Sequence, residues 1–327
     1  GLLYPPDPGE KFATVGGNVA TNAGGMRAVK YGCTRDYVRA MTVVLPTGEI
    51  VKLGATVSKT SSGYSLLNLM IGSEGTLGII TELTLKVIPA PKSVISLIIP
   101  YENLEDCIAT VPQFFMHHLA PQALEFMEKE VVMDTEKFLG KQVYPKELEG
   151  TEIGAYLLAT FDGNSEEQLE DIIEQASEVV FKDAWAVRGA LLEAIEADTV
   201  LLDECDVVVP TNKIAEFLTY TKSLEAEADF RVKSFGHAGD GNLHIYTCSN
   251  DMEEGEFKKQ VAVFMDKVYA KATEFGGMIS GEHGIGHGKM DYLAESLGPV
   301  QMRIMEGVKE VFDPNMILNP GKICYKL

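Results

Sequence analysis

The chain has 327 residues, is 46% hydrophobic, and carries a formal net charge of −20 with a pI near 4.7. That length holds about two domains and a sizeable core, and the acidity argues against nucleic acid and anionic membrane surfaces as partners, since both would repel it. The five cysteines (Cys33, Cys107, Cys205, Cys248, Cys324) have no Cys-x-x-Cys spacing, which argues against an iron–sulfur or structural zinc site, and their odd number fits a reducing compartment.

No apolar run is long enough to span a bilayer, and no signal peptide is visible. The expected location is cytoplasmic, or peripheral at a membrane through a partner.

Residues 1–8, with three prolines, read as a linker. Residues 14–25 (Thr-Val-Gly-Gly-Asn-Val-Ala-Thr-Asn-Ala-Gly-Gly) are rich in glycine, small and amide residues. Such a loop lets backbone N–H groups approach a phosphate closely, although it lacks the Gly-x-Gly-x-x-Gly spacing of a dinucleotide fingerprint and equally reads as a plain turn. Residues 39–52 alternate around Pro46-Thr47-Gly48-Glu49 and predict a hairpin. Residues 66–70 form a short apolar segment. A second glycine-rich turn, 72–78, runs into a strand at 79–87, and Pro89 and Pro91 mark a domain boundary.

From residue 93 strands alternate with helices. Strands are expected at 94–99, 155–161 and 207–209, and helices at 104–118, 126–138, 166–179, 183–197, 213–224 and 255–272. The last of these has a 3.6-residue stripe of Phe257, Val261, Phe264, Val268 and Ala272. This order predicts an α+β fold with an antiparallel sheet covered by helices on one face. A strand then leads into the glycine-dense loop 281–289, a helix at 301–311, and a tail containing Leu318-Asn319-Pro320-Gly321-Lys322.

Chemistry concentrates in residues 236–244, Gly-His-Ala-Gly-Asp-Gly-Asn-Leu-His. Apolar runs on either side and the central Asp-Gly predict a hairpin with a two-residue turn at Asp240-Gly241. In that register His237 faces His244, and Asn242 shares their face. Two imidazoles converging on one point suit a metal ion. A pair of satisfied structural histidines is the plainer reading, but four of the six histidines (His237, His244, His283, His287) sit in just two glycine-rich stretches. Within the second stretch, Glu282 and His283 are expected to diverge, one toward a metal and one toward a substrate.

The ordered set of motifs, 17–25, 72–79, 236–244, 281–286 and 318–322, resembles the FAD-linked D-2-hydroxyacid dehydrogenase family. That family includes D-lactate dehydrogenase, the glycolate oxidase catalytic subunit and D-2-hydroxyglutarate dehydrogenase. The resemblance implies the second half of a vanillyl-alcohol-oxidase-type (PCMH-type) FAD-binding domain at 1–92. It further implies an antiparallel-sheet substrate (cap) domain with the metal site at 93–290, and a helix and tail returning to the flavin at 291–327. It also implies that relatives carry a further N-terminal half-domain, with FAD retention by this stretch alone in question.

Residue by residue, the resemblance implies that His237, His244 and Glu282 bind a divalent cation (zinc, iron(II) or manganese). His283 would be the general base, an imidazole being the side chain that titrates near neutrality. Arg188 would clamp the substrate carboxylate, and Asn242 would hydrogen-bond the substrate. Gly17, Asn18, Thr21, Gly25, Glu74, Gly75, Ile79 and Asn319 would line FAD. The reaction implied is oxidation of a small D-2-hydroxy acid by hydride transfer to flavin N5. D-Lactate is favoured over glycolate and D-2-hydroxyglutarate because Ala190, Leu191 and Leu192 beside Arg188 offer no grip for a second carboxylate. Electrons would pass to an electron-transfer flavoprotein, an iron–sulfur subunit, a cytochrome or a quinone. Two rivals remain: a flavin-free metal hydrolase, which leaves the glycine-rich loops without a purpose, and a non-catalytic flavin-binding subunit, which has no need of the metal-site residues.

Overall fold

A computed structural model describes residues 1–148, 150–176 and 189–324. In chain order the elements of five residues or more begin with helix α1 (Val15–Thr21), strands β1 (Val38–Val44) and β2 (Ile50–Gly54), helix α2 (Leu66–Met70) and strand β3 (Ile79–Leu85). They continue with β4 (Ser93–Tyr101), α3 (Leu104–Met116), β5 (Ala123–Glu128), α4 (Lys129–Leu139), β6 (Ala155–Gly163) and α5 (Glu166–Ala176). The rest are α6 (Leu191–Asp198), β7 (Leu201–Val208), α7 (Ile214–Ser223), β8 (Arg231–His237), β9 (Asn242–Ser249), α8 (Glu254–Glu274) and α9 (Met290–Phe312).

The chain divides into two compact units: residues Gly1–Ala90 with Ile279–Leu327, and Pro91–Met278. Limits at 92 and 290 were expected, so the second break comes earlier and assigns Glu282 and His283 to the first unit. Among the described residues no helix is long and apolar enough to cross a membrane, and all five cysteines are free thiols.

The first unit is built on a three-stranded antiparallel sheet in the order β2-β1-β3. Val38, Met41 and Val43 of β1 form its core with Val19, Leu53, Met70, Ile71 and Leu77, and α9 adds Val308 and Phe312. Residues 15–21, expected as part of an open loop, are helical: the Thr14 hydroxyl caps the first turn by accepting from Gly17 N–H at 3.0 Å. Helix α9 starts well before the expected residue 301 and is broken at Gly298, whose φ is 77°, next to Pro299.

A buried ion pair anchors the end of that helix. The Lys309 ammonium bonds the Asp313 carboxylate and the carbonyls of Thr76 and Leu318, both at 2.8 Å. Asp313 also accepts from Ile317 N–H (3.1 Å) and Leu318 N–H (2.8 Å). One helical turn thus pins the 72–78 turn and the 316–319 tail.

The second unit is a six-stranded, fully antiparallel sheet, β7-β9-β8-β5-β6-β4. Residues 126–128, expected as helix, instead finish strand β5, and the helix begins at Lys129. Strand β7 runs eight residues, far longer than the expected 207–209. Helices cover both faces of the sheet, not one. Tyr156 and Leu158 of β6 pack in a core with Val131 and Val132 of α4 and Leu191 and Ile195 of α6. Phe161 lies an odd number of residues from both, hence on the opposite face, and stacks on Phe114 of α3 at 6.2 Å. Double cover explains why β5, β8 and β9 are buried along nearly their whole length.

The Lys309–Asp313 pair makes a testable contribution to stability. Burial alone raises the Asp313 pKa, but the Lys309 hydrogen bond, the Leu318 and Ile317 N–H donors and the Lys309 charge together hold it below the ordinary carboxylate range. A carboxyl with a lowered folded pKa contributes stability that is complete above its unfolded pKa and is lost as pH falls through the folded value. Asp313→Ala should therefore cost about 3–5 kcal/mol at neutral pH by stranding the buried ammonium and should flatten the acid limb of a pH-dependent denaturation profile. An unchanged acid limb would assign that limb to other carboxyls.

Candidate active site

The hairpin β8–β9 supplies the site's imidazoles, in a register other than the expected one. His237 pairs with Asn242, and His244 pairs with Phe235. The turn is longer than two residues because Gly241 N–H returns to the His237 carbonyl at 3.0 Å, with Asp240 N–H also directed there at 3.3 Å. Gly241 has φ 84°, and a Cβ on it would meet the Val209 carbonyl oxygen at 2.0 Å, so only glycine closes this turn. The two histidines become diagonal neighbours instead of direct opposites. Their rings still meet edge to face, with centroids 5.5 Å apart.

Register also dictates what surrounds the rings. His237 has Glu125 of β5 across from it on its other side, and His244 has Asp206 of β7. Glu125 is fully buried, and both of its carboxylate oxygens lie 2.8 Å from His237 Nδ1. His244 Nδ1 lies 3.1 Å from Glu204 Oε1, which also accepts from the Tyr246 hydroxyl at 3.0 Å. The Asn242 amide nitrogen donates to Asp206 Oδ1 at 2.7 Å and to the Val207 carbonyl at 2.9 Å. Both partners are acceptors, which fixes the amide's orientation. Each imidazole is thus oriented through Nδ1 by its own carboxylate. Carboxylates behind histidines in this way set the tautomer and raise the basicity of the other ring nitrogen, the usual outer support of a metal ligand.

Glu125, Glu204 and Asp206 were not anticipated. A signal existed: acids inside the apolar runs Ala-Leu-Glu-Phe-Met and Leu-Leu-Asp-Glu-Cys-Asp-Val-Val demand buried partners.

In the first unit, Glu282 and His283 occupy the glycine-dense loop after Ile279. The Glu282 carboxylate lies against Gly24, where a Cβ would come within 3.3 Å of Oε2. Glu282 and His283 do not fully diverge: His283 Nε2 is 4.0 Å from Glu282 Oε1. Glu74 holds the loop, accepting from Ile285 N–H and Gly286 N–H at 2.7 Å each.

The residues expected to line FAD are also in this unit. Gly17, Asn18 and Thr21 lie on α1, where the Thr21 hydroxyl donates to the Gly17 carbonyl at 3.1 Å. Gly25 has φ 123°, and the side a Cβ would fill is taken by the Asp7 backbone. Glu74 and Asn319 are both left-handed, and Asn319 Nδ2 donates to the Glu74 carbonyl at 2.7 Å beside Gly75. Ile79 is 55% exposed, an apolar face of the kind a flavin ring covers. Gly286 and Gly288 have open space where a side chain would stand, room for close backbone approach by a cofactor. The exposed Ile79 and the open glycines Gly286 and Gly288 fit the approach of a flavin, whereas the sides of Gly25 and Gly75 that a Cβ would fill are taken by the Asp7 backbone and the Asn319 amide.

Arg188 lies outside the described residues. Its neighbour Leu191, read as offering no grip for a second carboxylate, is a buried core residue of the second unit, so its apolarity carries no information about substrate size.

Two family descriptions match: FAD linked oxidases, C-terminal domain, over residues 90–323, and FAD binding domain over residues 1–54. D-Lactate dehydrogenase of Anaerostipes hadrus is 95% identical across the whole chain, which spans 72% of that relative. The chain belongs to the FAD-linked D-2-hydroxyacid dehydrogenase family. Members of the same fold include solved structures of p-cresol methylhydroxylase and alkyldihydroxyacetonephosphate synthase. The first has a TM-score of 0.71 at 15% identity and covers 96% of this chain and 70% of its own. The second has a TM-score of 0.68 at 19% identity and covers 98% of this chain, which spans only 61% of that structure. The PCMH-type α+β architecture expected from the sequence is the one found.

Removing the carboxylate behind His237 should be felt locally. Glu125→Ala deprives a buried imidazole of its Nδ1 partner and should destabilise the second unit by about 1–3 kcal/mol. Urea denaturation should show a lower midpoint with an unchanged slope; an unchanged midpoint would mean that the contact contributes nothing net.

Proposed function

We propose that the full-length protein is an FAD- and divalent-metal-dependent dehydrogenase that oxidises D-lactate to the 2-oxo acid. In this reading its electrons go on to a protein or quinone acceptor in the cytoplasm. The observation that carries it is the imidazole pair, His237 and His244, each backed through Nδ1 by a buried or partly buried carboxylate. Glu282 completes the proposed ligand set. Two imidazoles and one carboxylate leave positions open and make a catalytic rather than a structural donor set. Ionised carboxylates withdrawn from water need a counter-charge, and a dication held by the two rings is one. The name of the relative at 95% identity supports the choice of substrate.

Bound FAD supplies the acceptor for the hydride that leaves the substrate Cα. A divalent cation supplies a Lewis acid that lowers the pKa of the substrate α-hydroxyl. His283 takes the hydroxyl proton as general base. Asn242, its amide nitrogen spent on Asp206 and Val207, has its carbonyl oxygen left to accept a hydrogen bond from the substrate. Arg188 holds the substrate carboxylate bidentately, a geometry that a lysine does not reproduce.

His283→Ala should abolish D-lactate-dependent flavin bleaching under anaerobic conditions while metal content stays normal. Bleaching at the wild-type rate would remove His283 as the base. His244→Ala should lose metal and activity together, and stoichiometric metal in that variant would take the hairpin out of the ligand set. A visible flavin spectrum in the wild-type protein separates this reading from a flavin-free hydrolase.

A further inference from the structure

The side chain of Glu74 has a task that neither flavin contact nor metal ligation explains. Its two carboxylate oxygens each take one backbone N–H, from Ile285 and Gly286. Successive N–H groups that converge in this way form a nest, a concavity built for an anion. The backbone of the nest requires its glycines: Gly284 has φ 80° and Gly286 has φ 53°. A Cβ on Gly284 would stand 2.7 Å from Glu74 Oε1, so the carboxylate's approach depends on glycine there. Glu74 is itself fixed, in left-handed backbone with φ 50°. Its N–H donates to the Ala20 carbonyl at 2.7 Å and its carbonyl accepts from Asn319. The loop has a second tie on its far side, where Ile323 N–H donates to the Gly286 carbonyl at 2.9 Å.

We propose that Glu74 is a positioning residue for the reaction: its carboxylate fills the 284–286 nest and sets the backbone from which Glu282 and His283 project. The nest begins one residue after His283, so a shift of the 285–286 peptides is passed directly to both side chains. This deepens the reading under Proposed function and rests on it for the roles of Glu282 and His283. A charge-assisted bidentate contact is the strong form of such a tie. An amide cannot replace it, because its NH2 would oppose one of the two N–H donors.

The test uses the full-length flavoprotein and its Glu74→Gln and Glu74→Asp variants. Three quantities are read: amide exchange at Ile285 and Gly286, affinity of the metal-stripped protein for Zn²⁺, and the anaerobic rate of flavin reduction by D-lactate. In wild type the two amides should be protected relative to Gly288; exchange as fast as at Gly288 overturns the proposal without any variant. In Glu74→Gln exchange at both should accelerate at least tenfold. The flavin spectrum should persist, Zn²⁺ affinity should drop by about 10–100-fold as for other outer-shell losses, and kcat should fall more than KM rises. Glu74→Asp keeps the charge but is one methylene short, and should behave like Glu74→Gln. Zn²⁺ affinity and reduction rate within twofold of wild type overturn the proposal. Loss of flavin with unchanged exchange also overturns it, because Glu74 would then be a direct cofactor contact. Should wild type bind no Zn²⁺ and be reduced by no hydroxy acid, the functional reading fails on its own, and the exchange measurements still decide the clamp.

Discussion

The second unit turns on one constraint: a sheet buried on both faces must satisfy every polar group that its strands carry inside. Four neighbouring strands, β5, β8, β9 and β7, bring Glu125, His237, Asn242, His244, Glu204 and Asp206 into one cluster. Apart from the partly exposed Glu204, none of these side chains is tolerable alone at that depth. Together they are mutually satisfying, and the same hydrogen bonds that permit burial also aim the imidazoles. Structure and function are therefore not competing explanations for this cluster. The carboxylates that make the histidines admissible in a core also fix the orientation of their rings, which the proposed role as metal ligands needs.

The family and the fold class were legible in the sequence, and the geometry was less so. The hairpin, the histidine clustering and the ordered glycine motifs could be read because each is local: a turn between apolar runs, or a few residues of restricted composition. Register could not, because it was decided by a contact remote in sequence, Gly241 packed under the Val209 backbone. That contact lengthens the turn and moves His237 from opposite His244 to opposite Asn242. Strand β5 was lost for a related reason. No glycine or proline marks its junction with helix α4, only the charged residues Glu128, Lys129 and Glu130, and pairing with β6 and β8 distinguishes the two. In β7, three acids among Asp203–Asp206 masked the strand, although Glu204 and Asp206 alternate with Cys205 and Val207, consistent with partners across the sheet.

The glycine-rich motifs of the first unit show how a cofactor signature and a packing device can share the same residues. In sequence, glycine density suggests room for a phosphate or a ring. Several of the glycines here face protein instead. Gly25 makes way for the Asp7 backbone, Gly75 for the Asn319 amide and Gly284 for the Glu74 carboxylate. Gly286 and Gly288 alone in the 284–288 stretch face open space. A composition rule counts all of these alike, since it sees only that a side chain is missing. Steric demand separates them: some glycines let the loops bind one another, and the others leave the resulting surface open. Loops fastened to one another through Glu74, Asn319 and Lys309 hold a fixed outline without help from a ligand. A fixed outline lowers the ordering entropy that binding must overcome, so glycines that pack the loops against one another contribute to binding as well as those that leave the surface open.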